Sequence, residues 1–224
     1  MEPSGGAIGD TLGGPIRSAG TGGSILRSAM LKRAMDVTLA SAALVLAAPL
    51  LSLIAVCVKL DSPGPALYMQ TRHGEGNRTI GVFKFRTMRT EMCDAPGAPI
   101  RQAVRNDPRV TRVGRFLRRS SLDELPQLLN VLSGTMSLVG PRPHPVAFLE
   151  QYGRLIEGYP RRHDVKPGIT GWAQVNGLRG EVHELDQMRR RVEHDLHYIR
   201  NRSVLFDLRI LARTFTCFAS PNAY

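Results

Sequence analysis

Val37-Thr38-Leu39-Ala40-Ser41-Ala42-Ala43-Leu44-Val45-Leu46-Ala47-Ala48-Pro49-Leu50-Leu51-Ser52-Leu53-Ile54-Ala55-Val56-Cys57-Val58 is 22 residues long and carries no charge. As a helix it measures roughly 33 Å, enough to cross the hydrocarbon core of a bilayer. Pro49 sits near its middle, where a proline removes a backbone hydrogen bond and bends the helix. Both flanks are basic: Lys32 and Arg33 before it, then Lys59, Arg72, Arg78, Lys84, Arg86 and Arg89 after it. The positive-inside rule then chooses neither side. A segment kinked at Pro49 that dips into the membrane and returns to the same face satisfies both flanks, and is the preferred reading. The alternatives are a straight span, a buried helix of a soluble core and a signal peptide, the last lacking a small-residue cleavage site after Val58.

The 224 residues allow one domain with a core of its own, a membrane element and a tail. Thirty Lys and Arg against 19 Asp and Glu leave a formal charge of +11. That surplus favours acidic partners: nucleic acid, anionic lipid or a phosphorylated substrate. Cys57, Cys93 and Cys217 form no CxxC pair, which suggests neither a disulfide framework nor a zinc site.

Residues 1–30, rich in Gly, Ser and Ala, read as a disordered tail. The membrane element occupies 31–60, a cytosolic domain 61–218, and a short tail 219–224. Asp61-Ser62-Pro63-Gly64-Pro65 stops any helix. Ala66–Gln70 and Gly81–Met88 read as short strands; in the second, alternation places Phe83 and Phe85 on one face and Lys84 and Arg86 on the other. Residues 91–103 read as a loop. Helical spacing returns from Arg109. A helix is expected to start near Ser121 and end at Gly134. Glu184–Ile199 reads as an amphipathic helix, and Val204–Phe218 as a more apolar one that lies either in the membrane interface or in the core. The expected fold class is therefore α+β, mainly helical.

Within Arg118-Arg119-Ser120-Ser121-Leu122-Asp123-Glu124-Leu125-Pro126-Gln127, two adjacent carboxylates stand beside two arginines. One reading is a capping box, Ser121-x-x-Glu124. The other is chemistry: a helix N-terminus and Arg118 keep carboxylates ionised, one acid attacks phosphorus, and the other holds a hard cation such as Mg²⁺. Lys84 and Arg86 form either a solvated strand face or a phosphate clamp. Arg142, fixed between Pro141 and Pro143, is either part of a structural turn or a pre-positioned phosphate ligand. The six histidines form no metal pattern. No GxxxxGK[ST], GxSxG, zinc finger or RNP-like motif occurs, so P-loop, hydrolase and nucleic-acid readings lack a carrier.

These residues come in an order that resembles one family. Lys32-Arg33-x-x-Asp36 precedes the proline-broken apolar segment. Ser62-Pro63-Gly64-Pro65, Gln70-x-Arg72-x-Gly74, Lys84-Phe85-Arg86-Thr87-Met88 and Ser121–Gln127 follow. Ser137-Leu138-Val139-Gly140-Pro141-Arg142-Pro143 and Lys166–Gln174 complete the series. From about Leu31 to Thr214 the chain resembles the bacterial sugar transferases, the monotopic phosphoglycosyl transferases. The resemblance implies transfer of a hexose-1-phosphate, glucose or galactose, from a UDP-sugar to undecaprenyl phosphate, with release of UMP. That transfer opens exopolysaccharide, O-antigen or glycan synthesis at the cytoplasmic face of the bacterial inner membrane.

It further implies that Asp123 is the nucleophile of a covalent aspartyl intermediate. Glu124, with Asp123, holds Mg²⁺, while Lys84, Arg118 and Arg142 bind phosphate; Arg86 joins them as a phosphate ligand on the strand-face reading alone. Gly171, Trp172 and Gln174 belong to a sugar-nucleotide loop, and Pro49 breaks a re-entrant helix. The residue before Pro49 is Ala48 where some members carry serine, so that side-chain support is absent. Inner-membrane lipid is a partner, nucleic acid is not, and a homodimer is compatible. The rival reading is a non-catalytic, basic, membrane-associated adaptor.

Overall fold

The computed structural model describes residues 22–93, 107–180, 182 and 184–218. Most of the N-terminal tail, the C-terminal tail and most of the loop read at 91–103 fall outside the described residues. Helix α1 (Gly22–Asp61) begins inside the span expected to be tail and continues as one helix through Pro49. Its 40 residues correspond to roughly 60 Å. It is long and apolar enough to cross a membrane. Beyond Pro49, the Ser52 hydroxyl donates to the Ala48 carbonyl at 2.9 Å, a back-bond of the kind that bends helices.

Both ends of α1 are fastened to the domain. Near the N-terminal end, Lys32 Nζ meets Asp207 Oδ2 at 2.6 Å. Arg33 donates to the carbonyls of Val131 and Leu132 at 2.6 and 2.8 Å. Those carbonyls are among the last four of α3 (Gln127–Ser133), which have no partner within their own helix. Asp36, buried, accepts from Ser137 Oγ at 2.8 Å and from Leu138 N at 3.2 Å. At the C-terminal end, Ile54 and Val58 pack with Phe85 and Leu117, and Asp61 accepts from Val113 N at 2.9 Å, at the start of α2 (Arg112–Arg119). Between the two attachments one side of the helix is open, with Val45 74% and Leu46 82% exposed, while Ala43, Leu44 and Leu51 pack on the domain.

The domain is built from two small two-stranded sheets and short helices. Strands β1 (Leu67–His73) and β2 (Thr79–Phe85) form an antiparallel hairpin in which Tyr68 faces Lys84 and Arg72 faces Ile80. Asn130 of α3 imitates a third strand. Its Oδ1 accepts from Phe83 N at 2.9 Å and its Nδ2 donates to the Gly81 carbonyl at 2.6 Å. Gly134 ends α3 with φ +83°, a conformation that favours glycine. Strand β3 (Ser137–Val139) pairs in parallel with β4 (Gly168–Thr170). Helix α4 (Ala147–Tyr152) lies between β3 and β4 in the chain, and α5 (Trp172–Val175), α6 (Leu185–Asn201) and α7 (Val204–Phe218) follow β4.

The largest core joins Ala40 of α1 with Val82, Val131, Met136, Tyr198 and Ile210. A second cluster, with Tyr152, Tyr159, Met188 and Val192, packs α4 and α6. The mainly helical character and the short strands thus agree with expectation. In α7, Asp207 and Ile210 are buried while Leu205 and Leu208 are exposed, so this helix both joins the core and presents apolar side chains outward.

Candidate active site

Asp123 and Glu124 occupy a single 3₁₀ turn, Leu122–Glu124, between α2 and α3. The capping-box alternative does not hold. Ser121 adopts φ +55° and makes no capping bond, and its Oγ accepts instead from Arg179 Nη2 at 3.1 Å. A non-glycine residue in the left-handed region costs on the order of 1–3 kcal/mol and is characteristic of functional sites. Glu124, freed from capping, is clamped by cations: Lys84 Nζ lies 2.8 Å from Oε1, and Arg142 donates from Nη1 to Oε2 at 2.9 Å and from Nη2 to Oε1 at 2.5 Å.

The two acids are driven apart. Burial pushes the Asp123 carboxyl up to about 6, and the neighbouring Glu124 charge adds to this against Lys84, Arg142 and Arg118. Burial acts on Glu124 too, but Arg142 and Lys84 outweigh it and hold its carboxyl well below the usual range. Among the described residues no side chain donates a hydrogen bond to Asp123. The result is one fixed, fully ionised acid and one unbound acid that ionises near neutral pH, the separation that assigns different roles to paired carboxylates.

Each cation arrives by a separate route. Lys84 projects from β2. Arg118 lies in the last turn of α2 and donates from Nε to Thr87 Oγ1 at 2.9 Å. Gly114 makes that approach possible, since a β-carbon there would stand 2.2 Å from the Thr87 carbonyl oxygen. Arg142 sits in its proline-flanked turn, and its own carbonyl accepts from Arg162 Nη2 at 2.9 Å. Arg162 is in turn paired with the buried Asp195 of α6 at 2.7 Å.

Two further residues escape the sequence reading. Arg72 interacts electrostatically with Arg142 and Glu124; burial, then Arg142, lower it to about 10, which still leaves it charged. It shares a face of the hairpin with Lys84, and that alternation was the available signal. Arg179 reaches Ser121 from a loop some 58 residues away, and nothing local announces it.

Two expected site residues lie elsewhere. Arg86 follows the last residue of β2, so the strand alternation that pairs it with Lys84 ends before it. It is buried and donates to the carbonyls of Val58, Ser62 and Pro63, closing the C-terminal end of α1. Trp172 opens α5 and packs on Phe206, with ring centroids 5.0 Å apart, and on His197. Gln174, two residues on and therefore turned about 200° round the helix, lines a cavity together with Glu124. Gly171 is buried, and a β-carbon there would meet the Gly140 carbonyl oxygen at 2.2 Å.

The model of the family described as bacterial sugar transferase matches residues 27–220. The chain belongs to this family. Over 196 residues this bacterial sugar transferase is 57% identical to the UDP-glucose:undecaprenyl-phosphate glucose-1-phosphate transferase of Escherichia coli K12, covering 87% of this chain and 42% of that protein. It is 48% identical to the exopolysaccharide production protein PSS of Rhizobium leguminosarum bv. phaseoli, covering 83% of this chain and 93% of that protein. It is also 45% identical to the UDP-N-acetylgalactosamine-undecaprenyl-phosphate N-acetylgalactosaminephosphotransferase of Aeromonas hydrophila, covering 86% of this chain and 45% of that protein. The chain thus spans about two fifths of the length of the first and third of these relatives.

The sequence also led to the expectation of Mg²⁺ at the acid pair. Among the described residues no group of three or more His, Cys, Asp or Glu side chains comes together. Mg²⁺ needs no such cage, being held through one or two carboxylates together with substrate phosphate and water. Adjacent Asp123 and Glu124, the first without a donor, are a donor set that fits it.

Proposed function

We propose that the chain transfers a hexose-1-phosphate from a UDP-sugar to undecaprenyl phosphate, through a covalent intermediate on Asp123, with release of UMP. The observation that carries this reading is the division of labour in the acid pair: Glu124 clamped by Lys84 and Arg142, Asp123 unbound and ionising near pH 6. Lys84, Arg72, Arg118 and Arg142 outnumber the two carboxylates, which leaves a positive field for a diphosphate.

An Asp123 carboxylate oxygen attacks the phosphorus that bears the sugar. The bond from that phosphorus to the oxygen bridging it to the uridylyl phosphate breaks, and UMP leaves with the electron pair. Arg142, Lys84 and Arg118 absorb the charge that develops on the phosphoryl oxygens. A phosphate oxygen of the lipid acceptor then attacks the same phosphorus, releasing the Asp123 carboxylate and a lipid diphosphosugar. Mg²⁺, held by Glu124 with Asp123 when bound, supplies further neutralisation of the donor's diphosphate. Two half-reactions suit a boundary site, because donor and acceptor never meet.

We read the membrane arrangement from α1. Its two ends are bonded to one domain, through Lys32, Arg33 and Asp36 on one side and Asp61 and Arg86 on the other. A straight crossing separates those ends by a bilayer. A helix bent near Pro49, with exposed Val45 and Leu46 at its deepest part, keeps both ends and the domain on one face. We assign that face to the cytoplasm, where nucleotide sugars are made.

Glucose is the first donor to test, because relatives named for glucose-1-phosphate transfer are among the most similar, with an N-acetylgalactosamine enzyme more distant. Solubilised protein, Mg²⁺ and undecaprenyl phosphate are incubated with a panel of UDP-sugars and UMP is measured. UMP release with UDP-glucose is expected; no release with any UDP-sugar would reject the reading.

A further inference from the structure

A cavity of about 220 Å³ lies beside the acid pair, enclosed by α1, α3, the β3–β4 pair and α7. Glu124 stands in its wall. Much of the rest is hydrocarbon, from Ala43 of α1, Leu128 of α3, Leu138 of β3, Ile169 of β4 and Leu211 of α7.

Most of the polar side chains that also border the cavity have partners of their own, the exception being the buried Gln174 Oε1. The hydroxyls of Thr170 and Thr214 bond at 2.8 Å, and Thr214 also donates to the Ile210 carbonyl. Ser121 Oγ accepts from Arg179. Gln174 Nε2 donates to the Ile169 carbonyl at 3.1 Å. Gln174 Oε1, beside the Gly171 backbone, is buried and has no hydrogen-bond partner among the described residues. That single acceptor serves one hydroxyl of a sugar ring and leaves the others without partners, which is costly, whereas a hydrocarbon chain gains by burial against the apolar walls.

Size and position agree. Apolar cavities of roughly 150 Å³ stay dry and take up a six-carbon ring, so this one holds at least one five-carbon unit. One wall, Ala43, belongs to the apolar helix whose next turn, at Val45 and Leu46, is exposed. The cavity therefore joins the charged cluster to the lipid-facing helix.

We infer that this cavity seats the isoprenoid units of the acceptor nearest its phosphate, and so delivers that phosphate beside Glu124. The inference rests on the acceptor proposed above. A phospholipid acyl chain has the same hydrocarbon chemistry, and the experiment separates the two.

Ala43→Phe fills the cavity from outside the catalytic cluster. In nanodiscs, the variant should release a burst of UMP from UDP-glucose without acceptor, within about twofold of wild type. Its KM for undecaprenyl phosphate should rise by about tenfold or more, as expected when ground-state acceptor binding is lost. An unchanged acceptor KM overturns the inference and leaves an acyl chain or no chain in the cavity. A raised KM for UDP-glucose with unchanged acceptor KM also overturns it, by giving the cavity to the donor. If Ala43→Phe lacks a native thermal transition, labelling of the wild type decides: farnesyl phosphate carrying a diazirine on its phosphate-proximal unit. Label on peptides containing Leu128 or Leu211 supports the inference, and label confined to Val45–Leu53 overturns it. Absence of a UMP burst from the wild type with every UDP-sugar of the panel rejects the transferase reading instead, and the labelling still reports what the cavity holds.

Discussion

Arg142 grips Glu124 with two parallel hydrogen bonds, Nη1 to Oε2 at 2.9 Å and Nη2 to Oε1 at 2.5 Å. This fork geometry is specific to a guanidinium; a lysine ammonium supplies charge but not the paired donors. Because Lys84 holds the same carboxylate, the charge of Glu124 is fixed beside Asp123, and its repulsion helps keep Asp123 from ionising too early.

Arg142→Lys should therefore lower the rate of UMP release in the first half-reaction by about 10²–10³, the range for losing one pre-positioned donor. Rapid-quench measurement of UMP without acceptor checks this. A rate within about twofold of wild type would mean that charge alone suffices at this position.

The Asp123 carboxyl sets the acid limb of the same step. With its ionisation at about 6 in the folded protein, the rate of UMP release should fall about tenfold per pH unit below 6 and level off above it. Glu124, held below the usual range, adds no second limb in that region. A limb near pH 4 would show that Asp123 is not perturbed by burial.

Asp123 also costs stability. Its folded value, about 6, is raised above the ordinary carboxyl value of 3.8, so its contribution to stability is present below the unfolded value and is lost as pH rises through the folded one. Asp123→Asn should be inactive yet more heat-stable at pH 7, by up to about 3 kcal/mol, the free energy that separates those two values. The gain should grow from pH 4 to pH 6 and then stay constant. Thermal unfolding across that range checks it, and a gain independent of pH would contradict it.

Arg86 gives the opposite pattern. Its guanidinium is buried among the carbonyls of Val58, Ser62 and Pro63. Arg86→Ala should lower stability by about 2–3 kcal/mol, as expected for buried acceptors left without a charged donor, while the folded variant keeps the wild-type KM for UDP-glucose. A raised donor KM with unchanged thermal stability would return Arg86 to the phosphate site.

What the sequence made legible was local. The acid pair, Lys84, Arg118 and the proline-flanked Arg142 are recognisable because their residue types are unusual for bland structure at those places, and the fold gathers them. Arg86 was misplaced because alternation was extended one residue beyond the end of β2. Trp172 was misplaced because conspicuous chemistry does not reveal which side of a short helix faces the cluster. The docking of α1 was illegible for a different reason. Lys32, Arg33 and Asp36 find partners 98 to 175 residues away, and no periodicity encodes a contact at that distance. The same holds for Arg179, whose partner Ser121 is fixed only when the chain closes.

The central claim is that Asp123 itself carries the sugar-phosphate. Protein incubated with UDP-glucose and Mg²⁺ in the absence of acceptor, then digested and analysed by mass spectrometry, tests it most directly. The account predicts one hexose-phosphate adduct on the peptide containing Asp123, lost when undecaprenyl phosphate is added and absent from Asp123→Asn. UMP released only when acceptor is present, with no adduct on that peptide, would contradict it.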